Sequence, residues 1–202
     1  MSNVPDKNTF ANAYADKAPW DIGGPQAAFV DAAPNIRGSI LDAGCGTGEN
    51  ALFFAQRGHQ VTGIDFLEEP ILRARRKAAE RALPASFLVM DALALKEIPQ
   101  LFDSVIDCGL FHVFGDADRS RYVTGLADVL KPGGELYLMC FSDAEPGTAG
   151  PRRVSQAELE NAFANGWTIE SLKPTHFQII PEFEHMFSAG GPKAWFAVVK
   201  RA

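Results

Sequence analysis

Cysteine is scarce in this sequence, which has three cysteines among 202 residues. Cys45, Cys108 and Cys140 are too far apart for a C-x-x-C zinc or redox motif, and an odd number gives no complete disulfide framework. We therefore expect reduced thiols that pack as small buried side chains rather than acting as nucleophiles or metal ligands.

Long apolar runs are absent as well. No run approaches the roughly 20 residues that a membrane-spanning helix needs. Residues 1–7 have neither the basic start nor the apolar centre of a signal peptide. The sequence therefore predicts a cytoplasmic protein without a membrane partner.

Positive charge is in short supply, since 19 Lys and Arg stand against 25 Asp and Glu and the formal net charge is -6. Proteins that bind phosphate backbones rely on clustered Lys and Arg, so we expect no nucleic-acid partner. With 202 residues and 47% hydrophobic residues, the chain has the size and composition of one soluble domain. We expect a single domain over residues 1–202, and the sequence carries no signal for an oligomeric state.

A glycine-rich stretch, residues 39–48, reads SILDAGCGTG. An apolar run ends at Asp42, three glycines follow at alternate positions, and a helical pattern starts at Glu49, which predicts a strand, a tight turn and a helix. Glycine suits such a turn where φ is positive and where a ligand approaches the backbone. The dinucleotide fingerprint G-x-G-x-x-G does not fit, because the third glycine comes one position early and Glu49 would meet a pyrophosphate with the wrong charge.

A second acidic residue, Asp65, ends the next predicted strand, residues 59–65. It lies about 20 residues beyond the first glycine, where nucleotide-binding α/β folds place a carboxylate for the ribose hydroxyls. The alternative is that Asp65 caps the following helix, which Pro70 in its first turn also indicates. The spacing favours the ribose role.

Strands and helices alternate along most of the chain. A capping box at Ser155 and Glu158 predicts the start of the last helix. The alternation predicts an α/β fold whose sheet is mainly parallel, with one antiparallel strand at the end. The predicted strands are residues 39–43, 59–65, 85–90, 101–108, 135–141, 167–172 with a continuation past Pro174 to Ile179, and 194–200.

The acidic-x-Gly-x-Gly-x-Gly pattern of residues 42–48, together with Asp65, Asp91 and the LKPGG turn at residues 130–134, resembles the class I S-adenosylmethionine-dependent methyltransferases. The resemblance implies a Rossmann-like fold with a seven-stranded sheet and helices on both faces. It implies S-adenosylmethionine as the cofactor, S-adenosylhomocysteine as its product, and methyl transfer by in-line displacement in a dry pocket.

The resemblance also implies cofactor-binding residues near the carboxyl ends of the strands. Asp65 would hold the ribose, Phe66 would lie against the adenine, and Asp91 would bond the adenine amino group unless it is only a turn aspartate. The full predicted cofactor set is Tyr14, Trp20, Asp42, Gly44, Gly46, Asp65, Phe66, Asp91, Ala92 and Cys108.

Residues 1–36 are predicted to form a helical cap over the cofactor. In many small-molecule methyltransferases such a preamble closes over the cofactor, which makes Tyr14 and Trp20 candidates for cation–π contact with the sulfonium. The alternative is that both aromatic residues only anchor this segment to the core.

An apolar acceptor pocket is predicted on the same face. In residues 180–187, IPEFEHMF, the side chains of Phe183, Met186 and Phe187 are apolar where a solvated loop would be polar, so they either wall a pocket or cover the sheet edge. After the fourth strand, His112 is the best-placed base, with an ordinary pKa of about 6.5, or else it only shapes the pocket. Asp107 is the one acid there, so we predict no metal. The predicted pocket set is Phe111, His112, Phe183, Met186 and Phe187.

Residues 14–26, 108–116 and 153–159 are similar to small bacterial enzymes grouped near thiopurine S-methyltransferase, tellurite-resistance methyltransferases and heterocyclic-toxin methyltransferases. This implies methylation of sulfur, oxygen or nitrogen on a small, often aromatic acceptor, as in detoxification. A nucleic-acid amino-methyltransferase would carry Asn/Asp-Pro-Pro-Tyr/Phe where residues 107–110 read DCGL, and a protein methyltransferase would add a docking domain. A non-catalytic module that only binds S-adenosylmethionine stays open as an alternative.

Overall fold

A computed structural model of the chain describes residues 7–202. The strands over this range are β1 (Ile40–Ala43), β2 (Val61–Asp65), β3 (Ala85–Val89), β4 (Phe102–Cys108), β5 (Leu130–Phe141), β6 (Trp167–His176) and β7 (Lys193–Arg201). The α-helices are α1 (Lys7–Ala15), α2 (Ala27–Ala32), α3 (Glu49–Ala55), α4 (Glu68–Glu80), α5 (Asp116–Val129) and α6 (Gln156–Ala162). Three 3₁₀ segments cover Ala92–Glu97, Phe111–Val113 and Pro181–Met186.

The seven strands form one sheet in the order β3-β2-β1-β4-β5-β7-β6. All neighbours from β3 to β5 are parallel, and β7 runs antiparallel to both β5 and β6. The prediction of a mainly parallel sheet with one antiparallel strand is confirmed. Strand order reverses between β1 and β4, and in open α/β sheets ligands bind outside the carboxyl ends of the strands at such a point.

Helices cover both faces of the sheet, which confirms the Rossmann-like architecture. Side chains along β1 alternate between two cores: Leu41 packs with α5 and α6, and Ile40 packs with α2, α3 and α4. Parallel strands covered on both faces are rich in apolar residues, as β1 is, whereas β4 also carries Asp103, Ser104 and Asp107. The carboxyl ends of these strands are therefore left as the open edge where loops collect.

The ends of several elements differ from the predicted ones. The capping box is present, since the Ser155 hydroxyl accepts from the Glu158 amide and the Glu158 carboxylate accepts from the Ser155 amide. β5 begins at Leu130, so the predicted turn at 130–134 belongs to the start of this strand, with Gly133 at φ +75°. β6 passes through Pro174 and ends at His176, short of Ile179. Proline is tolerated there because β6 lies at the sheet edge.

The segment that precedes β1 lies against the carboxyl end of the sheet. Tyr14 and Ala18 form a small buried cluster with Leu67, which comes just after β2. Residues 1–6, which carry part of the predicted cap and most of the stretch judged to lack a signal peptide, lie outside the described residues. No helix within residues 7–202 combines the length and the apolarity that a membrane span requires.

Candidate active site

The glycine turn between β1 and α3 is the centre of the candidate site. Gly44, Gly46 and Gly48 all have positive φ, at +69°, +52° and +83°. Residues other than glycine rarely adopt this backbone conformation. Asp65 at the end of β2 fastens the turn, because its Oδ2 accepts from the Gly46 amide at 3.1 Å and its Oδ1 accepts from the Leu67 amide at 2.9 Å. The alternative considered for Asp65, the N-cap of the following helix, is not observed, since the N-cap position of α4 is Leu67.

Asp42 brings a buried carboxylate to the end of β1. Its side chain is 1% exposed, and its Oδ2 accepts from the Ala51 amide at 3.1 Å. Its Oδ1 is buried without a hydrogen-bond partner among the described residues. Burial, with added repulsion from Asp107 and Asp65, raises the pKa of Asp42 to about 8. A buried oxygen without a donor is a site that a cationic or hydrogen-bond-donating ligand can satisfy.

Aromatic side chains from the α1 segment gather over the turn. The Tyr14 hydroxyl lies where a Cβ on Gly46 would come within 2.5 Å of it, and it accepts from the Trp20 Nε1 at 3.1 Å. Phe10 contacts both Trp20 and Phe66 edge-on, with ring centroids 6.0 and 5.8 Å apart. Trp20 is 41% exposed and Tyr14 is buried, so the segment presents aromatic faces and one hydroxyl to the turn.

Asp91, Ala92 and Cys108 lie at the ends of β3 and β4. The Asp91 Oδ1 accepts from the Leu93 amide at 2.9 Å and caps the 3₁₀ segment that follows, so the turn role weighed for this residue is present. Ala92 is buried in the core cluster. The Cys108 thiol bonds the Asn50 side chain, and burial raises the pKa of Cys108, which keeps it a neutral thiol.

His112 lies beyond β4 in the 3₁₀ segment Phe111–Val113, and it is 6% exposed. The Phe141 amide donates to the His112 Nδ1 at 3.0 Å. The ring also makes edge-on contacts with Phe141 and Phe177, with centroids 5.2 and 6.0 Å apart. Burial, with the positive charges of Arg152 and Arg153, lowers the pKa of His112 to about 3.

Three phenylalanines form an aromatic wall beside His112. Phe141 ends β5, Phe177 follows β6, and Phe187 follows the last 3₁₀ segment; the centroid distances from Phe141 are 5.3 Å to Phe177 and 5.9 Å to Phe187. The wall comes within reach of Gly150, where an added Cβ would lie 3.3 Å from both Phe141 and Phe187. Sequence reasoning missed Phe141 and Phe177, although Phe141 ends a strand whose carboxyl end faces the site.

The prediction that Phe111 lines the acceptor pocket is wrong. Its ring is fully buried and stacks on Phe163 with centroids 5.9 Å apart. The tight 3₁₀ segment turns Phe111 into the core and leaves its neighbour His112 toward the aromatic wall. Phe183 and Met186 lie in the segment Pro181–Met186, where Phe183 is half-buried and Met186 is 45% exposed, so Phe187 is the member of this group that joins the wall.

Two covering segments meet beside the site. The Gln26 side chain donates to the Gln178 carbonyl and accepts from the Gln178 amide, each at 2.8 Å. The Ile180 amide donates to the Pro19 carbonyl at 3.0 Å, and Lys17 pairs with Glu182 at 2.5 Å on the surface. The segment over the glycine turn and the segment beside the aromatic wall are therefore joined along their edges.

The chain is similar to known methyltransferases. Residues 40–134 match the model of a methyltransferase domain family. A 2-heptyl-1-hydroxyquinolin-4(1H)-one methyltransferase from Mycobacteroides abscessus is 33% identical over 165 residues, which are 79% of this chain and 73% of that protein. The chain belongs to the S-adenosylmethionine-dependent methyltransferases.

Other relatives agree with this assignment. A probable thiol methyltransferase 2 from Arabidopsis thaliana is 31% identical to this methyltransferase over 184 residues, 89% of this chain and 77% of that one. A structure described under "Conversion of a Disulfide Bond into a Thioacetal Group during Echinomycin Biosynthesis" has a TM-score of 0.86 at 34% identity and covers 97% of this chain and 93% of its own.

A more distant structure shows the same fold. The Burkholderia thailandensis 1,6-didemethyltoxoflavin-N1-methyltransferase, solved with 1,6-didemethyltoxoflavin and S-adenosylhomocysteine, has a TM-score of 0.71 at 18% identity and covers 96% of this chain and 86% of its own. The fold is thus shared, and membership of the methyltransferase family makes S-adenosylmethionine the cofactor of this methyltransferase.

The residues around the turn fit this cofactor. The unpartnered Asp42 Oδ1 is buried at the end of β1, just before the glycine turn, where it can accept from the ammonium of an amino-acid group. The expected repulsion between Glu49 and a pyrophosphate is not supported, because this carboxylate pairs with Arg81 at 2.9 Å and with Lys77 at 2.9 Å. These two cations offset the charge of Glu49. The glycine spacing and the family membership therefore identify the cofactor.

A separate groove of about 940 Å³ lies away from this methyltransferase's glycine turn. It is bordered by α2, by the start of β5 and by β6, and its lining includes Arg37, Lys131, Glu170 and Lys173. Neither the turn nor the aromatic wall contributes to it. Within residues 7–202, no three His, Cys, Asp or Glu side chains come together in a group that could hold a metal ion.

Proposed function

We propose that this methyltransferase transfers the methyl group of S-adenosylmethionine to a sulfur, oxygen or nitrogen atom of a small heteroaromatic molecule. The observation that carries the proposal is the aromatic wall of Phe141, Phe177 and Phe187 next to His112. Flat aromatic ligands pack well against such walls, and apolar pockets with few polar groups are typical of small-molecule sites.

In this proposal, different residues of the chain bind different parts of the cofactor. Asp42 would accept from the amino group, Asp65 would accept from the ribose hydroxyls, and Phe66 and Asp91 would lie at the adenine. Tyr14 and Trp20 close over the sulfonium from the α1 segment. When bound, S-adenosylmethionine supplies an electrophilic methyl group and leaves as S-adenosylhomocysteine.

The names of the relatives support the acceptor class. One acts on a 1-hydroxyquinolinone, one is a probable thiol methyltransferase, and one belongs to a study of the conversion of a disulfide bond into a thioacetal group during echinomycin biosynthesis. A thiol and an N-hydroxyl group each have an accessible lone pair on the heteroatom and a proton that is easily lost. Methylation masks such a reactive atom, which is the chemistry that detoxification requires.

An acceptor panel tests the proposal. Purified protein is incubated with S-adenosylmethionine and with heteroaromatic thiols, phenols, N-hydroxy heterocycles, a peptide mixture and a nucleic-acid mixture. We expect S-adenosylhomocysteine and a methylated product by mass spectrometry with the small aromatic compounds only. Methylation confined to the peptides or the nucleic acids would contradict the proposed acceptor class.

A further inference from the structure

The proton on the His112 ring is fixed by a backbone hydrogen bond. The Phe141 amide donates to the His112 Nδ1 at 3.0 Å, so this nitrogen must present a lone pair. A neutral imidazole has one N–H group, and the hydrogen bond at one nitrogen decides which nitrogen carries it. The proton of His112 therefore sits on Nε2, and the ring can donate from that edge but cannot accept there.

The surroundings of His112 favour the neutral ring. The charged groups that act on it are the guanidiniums of Arg152 and Arg153, both on the segment that follows β5. The nearby carboxylates are committed elsewhere: Asp107 accepts from two backbone amides and a buried tyrosine, and Glu145 accepts from two backbone amides. No carboxylate among the described residues bonds the ring, and its pKa is lowered to about 3 by burial and these cations.

The Nε2 edge of the His112 ring lies beside Gly109 and Phe177. No hydrogen bond joins Nε2 to any residue within 7–202. The backbone beside it belongs to Gly109, where an added Cβ would lie 3.4 Å from the His112 Cε1, 3.6 Å from Nε2 and 3.8 Å from Phe177. Gly109 also has φ +86°. A glycine at this position keeps the donor edge and the adjoining aromatic face clear for a ligand.

We propose that His112 is not a base but an N–H donor for an acceptor that arrives already ionised, as a thiolate, a phenolate or the oxyanion of an N-hydroxy heterocycle. This inference rests on the proposed function and narrows its acceptor class to heteroatoms that lose their proton near neutral pH. Arg152 pairs with Glu158 at 2.8 Å and Arg153 donates to backbone carbonyls beside Glu145, so the charges of both guanidiniums are largely offset and the Nε2–H is the group that holds the anion.

The chemical step then balances without a protein base. The acceptor loses its proton to solvent before it binds. A lone pair of the anionic heteroatom forms the new bond to the methyl carbon while the bond from that carbon to the sulfonium breaks, and its electron pair stays on sulfur. An anion and a cation become two neutral products, and no proton is left for His112 to remove.

A series of para-substituted thiophenols with graded thiol pKa values separates a donor from a base. The measurement is kcat/KM between about pH 5 and 9 at saturating S-adenosylmethionine, because this parameter reports ionisations of the free enzyme and the free acceptor. If His112 is a donor, the midpoint of the rising limb follows the thiol pKa of each acceptor. A base would impose one rising limb that is common to the whole series.

Two substitutions of His112 form a matched pair. His112→Gln places an N–H near the Nε2 position, and His112→Asn keeps an acceptor for the Phe141 amide but does not reach the Nε2 position. We expect His112→Gln to stay within about fivefold of the wild type and His112→Asn to lose about ten- to a hundredfold in kcat/KM, the range of one hydrogen bond to an anion. Removal of a base would cost both variants a similar, larger factor of about 10²–10⁴.

A binding readout needs no turnover. With S-adenosylhomocysteine present, 4-nitrophenol is titrated onto each protein and the visible absorbance of the phenolate is followed at a pH below the phenol's own pKa. We expect the phenolate fraction to rise on binding to wild type and His112→Gln, and less on binding to His112→Asn. Thermal melting establishes that each variant is folded.

The outcomes separate the two proposals. Three results overturn the donor role and leave the methyl transfer intact. They are a rising limb of the pH profile that is shared by all thiols, equal large losses of kcat/KM in both variants, and binding of 4-nitrophenol as the neutral phenol. No methylation of any aromatic acceptor, and no binding of 4-nitrophenol, overturns the proposed function and the donor role together.

Discussion

Two aspartates at the ends of neighbouring strands have different surroundings. Asp65 accepts from two backbone amides and so fastens the glycine turn. Asp42 has one amide and one buried oxygen without a partner among the described residues. The first carboxylate is organised before a ligand binds, whereas the second gains its remaining partner only from a ligand. This difference gives each residue its own test.

Replacement of Asp65 by alanine or asparagine tests its role at the ribose. We expect S-adenosylhomocysteine to bind about ten- to a hundredfold more weakly in both variants, because one hydrogen bond to a charged group is lost. Isothermal titration calorimetry measures the affinity, and Glu68→Gln, an exposed change in the first turn of α4, is the control. Unchanged affinity in Asp65→Ala contradicts the ribose role.

Asp42 makes the stability of the ligand-free protein fall as pH rises. Its pKa is about 8 in the folded chain and about 3.9 in an unfolded one. Between these values the folded chain holds a proton that the unfolded chain releases, so its stabilising effect is complete below about pH 4 and is lost as pH rises to about 8.

Asp42→Asn removes this dependence, so the Tm of the variant relative to wild type is expected to rise steadily from about pH 5 to 8 and then level off. Asp103→Asn is the control. Hydrogen bonds from Lys131 and Ser39 hold the pKa of Asp103 at about 2, and its effect on Tm is therefore constant over the same range. A difference between Asp42→Asn and wild type that does not change with pH contradicts the prediction.

Prediction from the sequence succeeded at residues whose spacing encodes their chemistry. The alternate glycines and Asp65 follow fixed distances along the chain, and the structure brings them into contact at Gly46. It failed at Phe111, because the direction of a side chain in a loop follows no period. The 3₁₀ turn that sends Phe111 inward and leaves His112 at the wall depends on backbone geometry that composition does not show.

Among the elements, α6 depends most clearly on one local signal. Its capping box joins Ser155 and Glu158 in both directions. We expect Ser155→Ala to lower the free energy of unfolding by about 1 kcal/mol, as measured by urea denaturation. Gln156→Ala, one residue further along on the exposed side, is expected to change it by less than about 0.5 kcal/mol. Equal effects of the two substitutions contradict the capping role.

Strand and helix positions were predictable from apolar patterns, because strands that are buried on both faces carry apolar residues at their centres, as Val105 and Ile106 do in β4. The end of β6 was not predictable, since Pro174 is compatible with either an edge strand or a loop. The order of the strands, with β7 between β5 and β6, was not predicted either. It is set by pairing between distant segments, which no local pattern in the chain specifies.

In the whole molecule, the two covering segments are expected to respond together to the cofactor. S-Adenosylhomocysteine should slow amide hydrogen exchange in residues 7–22 and, through Gln26 and Gln178, in residues 177–187 as well. In Gln26→Ala the second effect is expected to fall about tenfold or more, because buried backbone groups lose their partners. Mass spectrometry of exchanged peptides measures both regions.

The control for this experiment is Lys17→Ala. It breaks an ion pair that joins the same two segments, but both side chains are more than half exposed, and such pairs contribute little. We expect it to leave the exchange pattern unchanged. Equal protection of residues 177–187 in Gln26→Ala and wild type contradicts the coupling.

The place of β7 sets the order in which the molecule can be completed. During synthesis, a nascent chain that has emerged only to residue 192 contains β6 without its single neighbour and β5 with one side unpaired. The amide of Lys193, the first residue of β7, also holds Glu145 in the loop after β5. β7 must therefore be in place before this side of the sheet is complete, whereas the parallel strands around the glycine turn pair without it.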